Sequence, residues 1–133
     1  MTPEEIAQRL EEFHGHLGPY VAVGYRMGEA ARAVLGEGRL RARLFCGTRP
    51  PLSCMADGVQ VSTSCTLGKG NIAVLSADMP SGEFHTPQRR AHIALRAEVH
   101  RRFLREMSKE TERALAMEVL RMPLEALLEV RQE

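Results

Sequence analysis

The segment FHGHLGPY, residues 13–20, breaks an otherwise helical start to the chain. Gly15 weakens any helix through it, and Pro19 cannot donate to a preceding turn. Upstream, Thr2-Pro3-Glu4-Glu5 is a helix start. Thr2 can accept from free backbone N–H groups, Pro3 suits the first turn, and Glu5 can close a capping box. Ile6, Leu10 and Phe13 then share a face, so this helix is expected to end near Phe13. A second helix is expected from Pro19 to Leu35, with Val23, Met27, Ala30, Ala31 and Val34 at helical spacing. Gly24 and Gly28 lie four apart and leave room for another backbone, and Gly36 is a natural stop. The chain therefore opens as two helices joined by a turn that carries His14 and His16.

Beyond Gly36 both periods occur. RLRARLF alternates, with Leu40, Ala42 and Leu44 on one side, and predicts a half-exposed strand. The stretch from Cys54 to Thr63 suits a short helix, TLGKGN a glycine loop and IAVLSA a buried strand. DMPSGEFHTPQ is rich in turn residues and predicts an exposed hairpin or loop. HIALRAEV alternates again, placing Ile93, Leu95 and Ala97 together. EVHRRFLREM and, after Ser108, ETERALAMEVLRM read as helices. Met122-Pro123 stops the second of these, and LEALLEV adds a last amphipathic turn. These elements predict an α+β fold: one domain, residues 1–133, with a small, mainly antiparallel sheet packed with several helices. At 133 residues such a domain buries a core without disulfide staples. Aromatic residues make up only 5%, with no Trp, so that core rests on Leu, Val, Ala, Ile and Met.

The bulk numbers exclude more than they specify. Net charge is +1, which directs the chain to no highly charged partner. Arg89 to Arg105 holds six arginines and two histidines against one acid, Glu98. It reads as a solvated face, with a nucleic-acid patch as the lesser alternative. The first residues, MTPEEIAQRL, read as charged and amphipathic rather than as a signal peptide, and no apolar run in the sequence reaches bilayer length. The three cysteines, Cys46, Cys54 and Cys65, are an odd number. Together these features predict a cytoplasmic protein with reduced thiols and no membrane partner.

Two stretches carry groups capable of chemistry. His14 and His16 share a face only on an extended or turning chain, and Gly15 favours that geometry. Pro19 then starts a helix whose positive end would favour a nearby anion or thiolate. A plain surface turn explains the same residues. The second stretch is SCMADGVQVSTSCTLGKGN, residues 53–71. Asp57 follows Cys54 by three residues, on one helical face. Cys65 sits beside a polar glycine loop with Thr66, Lys69 and Asn71, and Lys69 close to a cysteine would favour its thiolate. LGKGN lacks the spacing of a phosphate-binding loop. Cys46, at the end of a strand, reads as a small buried hydrophobe. Two histidines and two thiols would complete a tetrahedral zinc site, although their spacing does not show that they meet. His85, His92 and His100 read as solvent-facing unless His85 closes over a cleft.

FHGHLGPYVAVGYRMGEAA followed by CMADGVQVSTSCTLGKGNI resembles the FmdE-like family, named for formylmethanofuran dehydrogenase, over nearly the whole chain. The resemblance implies an α+β core in an intertwined homodimer, here without the C-terminal zinc finger of some relatives. It carries the family's cleft onto His14, His16, Cys54, Asp57, Gln60, Cys65, Thr66 and Lys69. Gly18 stands where the family pattern usually has Cys, Tyr20 where it has Gly, and Ser64 where it has the Gly before Cys65.

The leading functional expectation is a metal-binding protein. Zinc or another divalent transition metal would sit on His14, His16, Cys54 and Cys65, with Asp57, Gln60, Thr66 and Lys69 around them. Its role would be that of an accessory or sensing partner of a molybdenum- or tungsten-type redox enzyme. One alternative is a thiol-dependent enzyme using Cys65 or Cys54 with His14 or His16. A nucleic-acid-binding regulatory module comes last.

Overall fold

The computed structural model describes residues 1–133. Helix α1, Pro3–His14, opens on the capping box that Thr2 and Glu5 predict: Glu5 N–H donates to Thr2 Oγ1 at 3.1 Å and Thr2 N–H to Glu5 Oε1 at 2.8 Å. It ends at Gly15, whose φ of +96° is left-handed and whose N–H donates to the Glu11 carbonyl. Helix α2, Pro19–Leu35, follows at once. Buried residues occur all round it, among them Tyr20, Val21, Val23 and Met27, so it is the central helix of the domain. Each such side chain contributes roughly 1.5–3 kcal/mol of apolar burial.

A single 3-10 turn, Leu52–Cys54, leads into α3, Met55–Thr63, which lies across α2. The two backbones nearly touch. A Cβ on Gly24 would stand 2.0 Å from the Met55 carbonyl oxygen, and one on Gly58 would stand 2.0 Å from the Val21 oxygen. Gly28 lies instead against the side chains of Ser62 and Thr63. The four-residue glycine spacing in α2 is thus a docking groove for α3. Arg26 fixes the other side of α2. Its buried guanidinium donates to the Val119 and Met122 carbonyls at 2.6 and 2.9 Å. These lie at the C-terminal end of α5, Glu112–Arg121, where carbonyls lack helical partners.

The sheet runs β2-β1-β3-β4-β5, with β1 and β2 parallel and the other pairs antiparallel. Its strands are β1 Arg41–Leu44, β2 Ile72–Val74, β3 Ser81–His85, β4 Arg90–Leu95 and β5 Leu128–Gln132. Ala42, Phe84 and Ala91 lie in register on the buried face, as do Leu44, Gly82 and Ile93. Helix α4, Ala97–Glu106, and the short α6, Leu124–Leu127, complete the α+β domain. No helix is long and apolar enough to cross a membrane.

Four local expectations need correction. Residues 81–85 do form a hairpin with β4, but as the buried central strand rather than an exposed segment, because Ser81, Gly82 and Phe84 are buried and both neighbours pair with the strand. IAVLSA gives a three-residue edge strand with Ala73 and Val74 exposed, so its apolar run is not a core strand. LEALLEV splits into α6 and the edge strand β5, where Leu128 faces Leu95. The alternation of HIALRAEV stops at Leu95, and Ala97 is exposed as the first residue of α4.

The helix contact gives a direct test. Gly58→Ala must push two backbones apart, with no flexible side chain to yield, and is expected to cost roughly 1–3 kcal/mol or more. A urea titration of that variant should show a lowered midpoint. Gly68→Ala, where a Cβ meets nothing within 4 Å, should leave the midpoint in place.

Candidate functional site

The α2–α3 contact aligns the N-terminal ends of both helices beside the Gly15–Pro19 turn. A cavity of about 50 Å³ lies there, lined by His14, His16, Gly18, Tyr20, Cys54 and Glu112 with Pro19, Val21, Pro51 and Met107. Three chain segments far apart in sequence thus meet at one point.

His14 is the best-defined member. Its Nδ1 lies 2.6 Å from Asp57 Oδ2, and its side chain is only 12% exposed. A carboxylate accepts, so Nδ1 carries the hydrogen, and Nε2 is the ring nitrogen left to present a lone pair to a metal. That Nε2 is buried and has no hydrogen-bond partner. A buried nitrogen left bare is costly unless something else meets it. The His16 ring is tilted against His14 with 4.7 Å between centroids, and it is exposed.

Cys54 is half-buried at the start of α3. Burial holds its thiol above the usual value, and the Asp57 and Glu112 carboxylates push the same way. A cysteine so placed is a poor free nucleophile at neutral pH. Cys46 is buried in the core, and its thiol is pushed up to about 11 chiefly by burial.

Cys65 does not come to this cavity. It follows the far end of the nine-residue α3 from Cys54, roughly 14 Å of helix at about 1.5 Å per residue. There it is buried in the core, with Sγ 3.2 Å from the Leu40 carbonyl oxygen. Thr66 and Lys69 also lie at that end. The Thr66 hydroxyl accepts from the Lys69 N–H, and Asn71 Oδ1 accepts from the Thr66 N–H. Lys69 is exposed. Gln60 connects the two ends, because its Oε1 accepts from Leu67 N–H while its Nε2 lies 3.4 Å from Asp57 Oδ1. The glycine loop therefore steadies Asp57 from a distance. Gln60 and Thr66 themselves line a separate surface groove with Arg9, Phe13 and Val61.

Two participants lie outside the candidate ligands and cleft residues that the sequence offers. Glu112 reaches the cavity from α5, with no motif to announce it. Tyr20 packs its hydroxyl 2.8 Å from His100 Nδ1, so His100 is a half-buried partner rather than a solvent-facing residue. Burial keeps both neutral, raising Tyr20 to about 12 and lowering His100. His85 and His92 lie on the sheet and do not approach the cavity. His85 lines a groove with Thr86 and Arg89, and His92 stacks on Phe45. The arginine-rich stretch divides between β4 and α4. Its Arg102 is paired with Glu106 and Glu118, and Arg96 donates to the Glu125 carbonyl.

No group of three or more His, Cys, Asp or Glu side chains stands ready-made at metal-holding distances. The donor set still fits a borderline divalent ion. His14 Nε2 is bare and buried, Cys54 supplies a thiol, and two carboxylates make the surroundings negative.

Alkylation of Cys54 by iodoacetamide, followed against pH by peptide mass spectrometry, should show a midpoint above that of an ordinary thiol. Asp57→Asn should lower that midpoint, since it removes one of the two charges opposing the thiolate.

A family model described as "FmdE, Molybdenum formylmethanofuran dehydrogenase operon" matches residues 13–131. The crystal structure of a tungsten formylmethanofuran dehydrogenase FmdE-like protein from Syntrophus aciditrophicus is similar over 100% of this chain and 72% of that one. Its TM-score is 0.76 and its sequence identity 26%. A probable S-adenosyl-L-methionine-binding protein from Archaeoglobus fulgidus is 42% identical over 77 residues, covering 50% of this chain and 19% of that protein. The chain thus spans about a fifth of that curated relative's length.

Proposed function

The chain belongs to the FmdE family, and from that premise we propose that its cavity holds a divalent transition-metal ion, zinc foremost. We further propose that the protein serves a molybdenum- or tungsten-type redox enzyme as an accessory or sensing partner. The observation that carries the metal reading is the Asp57–His14 pair with its bare, buried Nε2. A carboxylate behind a histidine is the usual support of a metal-ligating imidazole, setting the tautomer and raising basicity. His14 Nε2, His16 and Cys54 would hold the ion. When bound, it would act as a Lewis acid and keep the Cys54 sulfur deprotonated.

Size favours the same reading. The cavity, at about 50 Å³, falls far below the roughly 300–1,000 Å³ of pockets for cofactor-sized molecules. It suits an ion with one or two waters, and it is too small for S-adenosylmethionine, the ligand in the Archaeoglobus fulgidus relative's name. The partner assignment draws on the operon in the family's description and on the tungsten enzyme for which the Syntrophus aciditrophicus relative is named. The homodimer belongs to the same proposal, and the exposed Phe13 and Leu67 offer apolar surface for it.

The thiol-enzyme alternative would use Cys54 with His14 and Asp57, in the manner of a nucleophile, base and orienting acid. The raised Cys54 thiol counts against it. A bound cation would reverse that penalty.

Mild purification followed by metal analysis and zinc titration should give close to one equivalent per chain. Asp57→Asn should weaken zinc affinity by roughly 10–100-fold, the usual cost of losing a supporting carboxylate, and His14→Ala by more. Less than about a tenth of an equivalent, with no uptake on titration, would sink the metal reading.

A further inference from the structure

We propose that Glu112 is the anionic ligand on the α5 side of this metal site, and that position 18, where this chain has glycine, opens beside Glu112 and His16. The inference rests on the metal reading above and adds a residue to it.

Gly18 is buried at the N-cap of α2 with φ −138°, an extended conformation open to any residue. Its backbone therefore does not require glycine, unlike that of Gly15. Close packing does not require it either. A Cβ built there meets only two atoms, His16 Nε2 at 3.8 Å and Glu112 Oε2 at 3.9 Å, both ordinary contacts. The groups nearest that position are thus an imidazole nitrogen and a carboxylate oxygen. A side chain at position 18 would contact both.

The carboxylate itself is unengaged. Several acids around α1, α4 and α5 are paired, Glu11 with Arg113, Glu4 with Arg121, and Glu106 and Glu118 with Arg102, while Glu12, Glu98 and Glu110 form no ion pair and do not line the cavity. Glu112 forms no ion pair and accepts no side-chain hydrogen bond, although it sits in the midst of this network. His16 likewise makes no hydrogen bond. Glu112 lines the same cavity as Cys54, His14 and His16. The exposed His16 and the half-buried Glu112 line one cavity with the bare His14 Nε2 and the Cys54 thiol, where small side-chain shifts would bring them onto a cation. His14, His16, Cys54 and Glu112 give two nitrogens, a sulfur and an oxygen, a donor set suited to zinc.

The simpler role of an acid in the first turn of a helix is to favour that helix's positive end. Metal affinity separates the two roles. Zinc affinity is measured by competition with a chromophoric chelator on wild type, Glu112→Gln, and Glu112→Gln combined with Gly18→Cys. Cobalt(II) absorption spectra report the donor atoms, and thermal melting of the metal-free proteins reports the fold. Glu112→Gln should melt like wild type and bind zinc at least about tenfold more weakly, the smallest cost of losing even a supporting group. Adding Gly18→Cys should restore affinity and strengthen the sulfur-to-cobalt charge-transfer absorption, because the new thiol stands beside the same groups. Wild type binding zinc while Glu112→Gln binds equally well would overturn this inference and leave the metal reading standing. Wild type taking up no zinc would overturn both. A well-folded double variant without recovered affinity would overturn the shared position.

Discussion

The close approach of α2 and α3 is the constraint from which the site follows. Gly24 and Gly58 let the two backbones come within van der Waals contact, with no side chain between them. A helix pair held at that distance has little freedom to slide or splay. The start of α3, with Cys54 and Asp57, is consequently fixed beside the start of α2. Because α2 begins only a short turn after His14, the two histidines are delivered to the same place. Arg26 then binds the C-terminal carbonyls of α5 and orients that helix so that its first residue, Glu112, faces the cavity. One glycine contact and one buried arginine assemble groups from residues 14 to 112.

The electrostatics of the assembled groups point one way. Asp57 and Glu112 bring negative charge, and the helix starts of α2 and α3 only partly offset it. Burial and these carboxylates keep Cys54 protonated, which suits neither an activated thiol nor an anionic ligand. A divalent cation would relieve the bare His14 Nε2, the opposed carboxylates and the protonated thiol together.

Much of this is legible in the chain. The capping box at Thr2 and Glu5, the left-handed glycine at position 15 and the proline start of α2 are local signals, and local chemistry decides them. The family motifs point to His14, Cys54 and Asp57 as cleft residues. Other features depend on contacts that no window of sequence contains. The strand at 81–85 is central only because neighbours pair on both sides, and its own residues, Ser-Gly-Glu-Phe-His, read as part of an exposed hairpin or loop. Leu128 and Val130 alternate as a strand should, but the helical turn before them hides it. Cys65 belongs to a motif with Cys54, and a straight nine-residue helix holds the two apart. Glu112 and the Tyr20–His100 pair arise from packing of α5 and α4 on α2, for which the chain offers no nearby signal.

The central claim, that the cavity between the histidine turn and α3 is a metal site, is tested most directly by anomalous scattering. Crystals grown with zinc and measured on both sides of the zinc absorption edge should show one strong anomalous peak per chain, bounded by His14 Nε2, His16, Cys54 and Glu112. An empty cavity in crystals that carry zinc elsewhere, at Cys65 or on surface histidines, would contradict it.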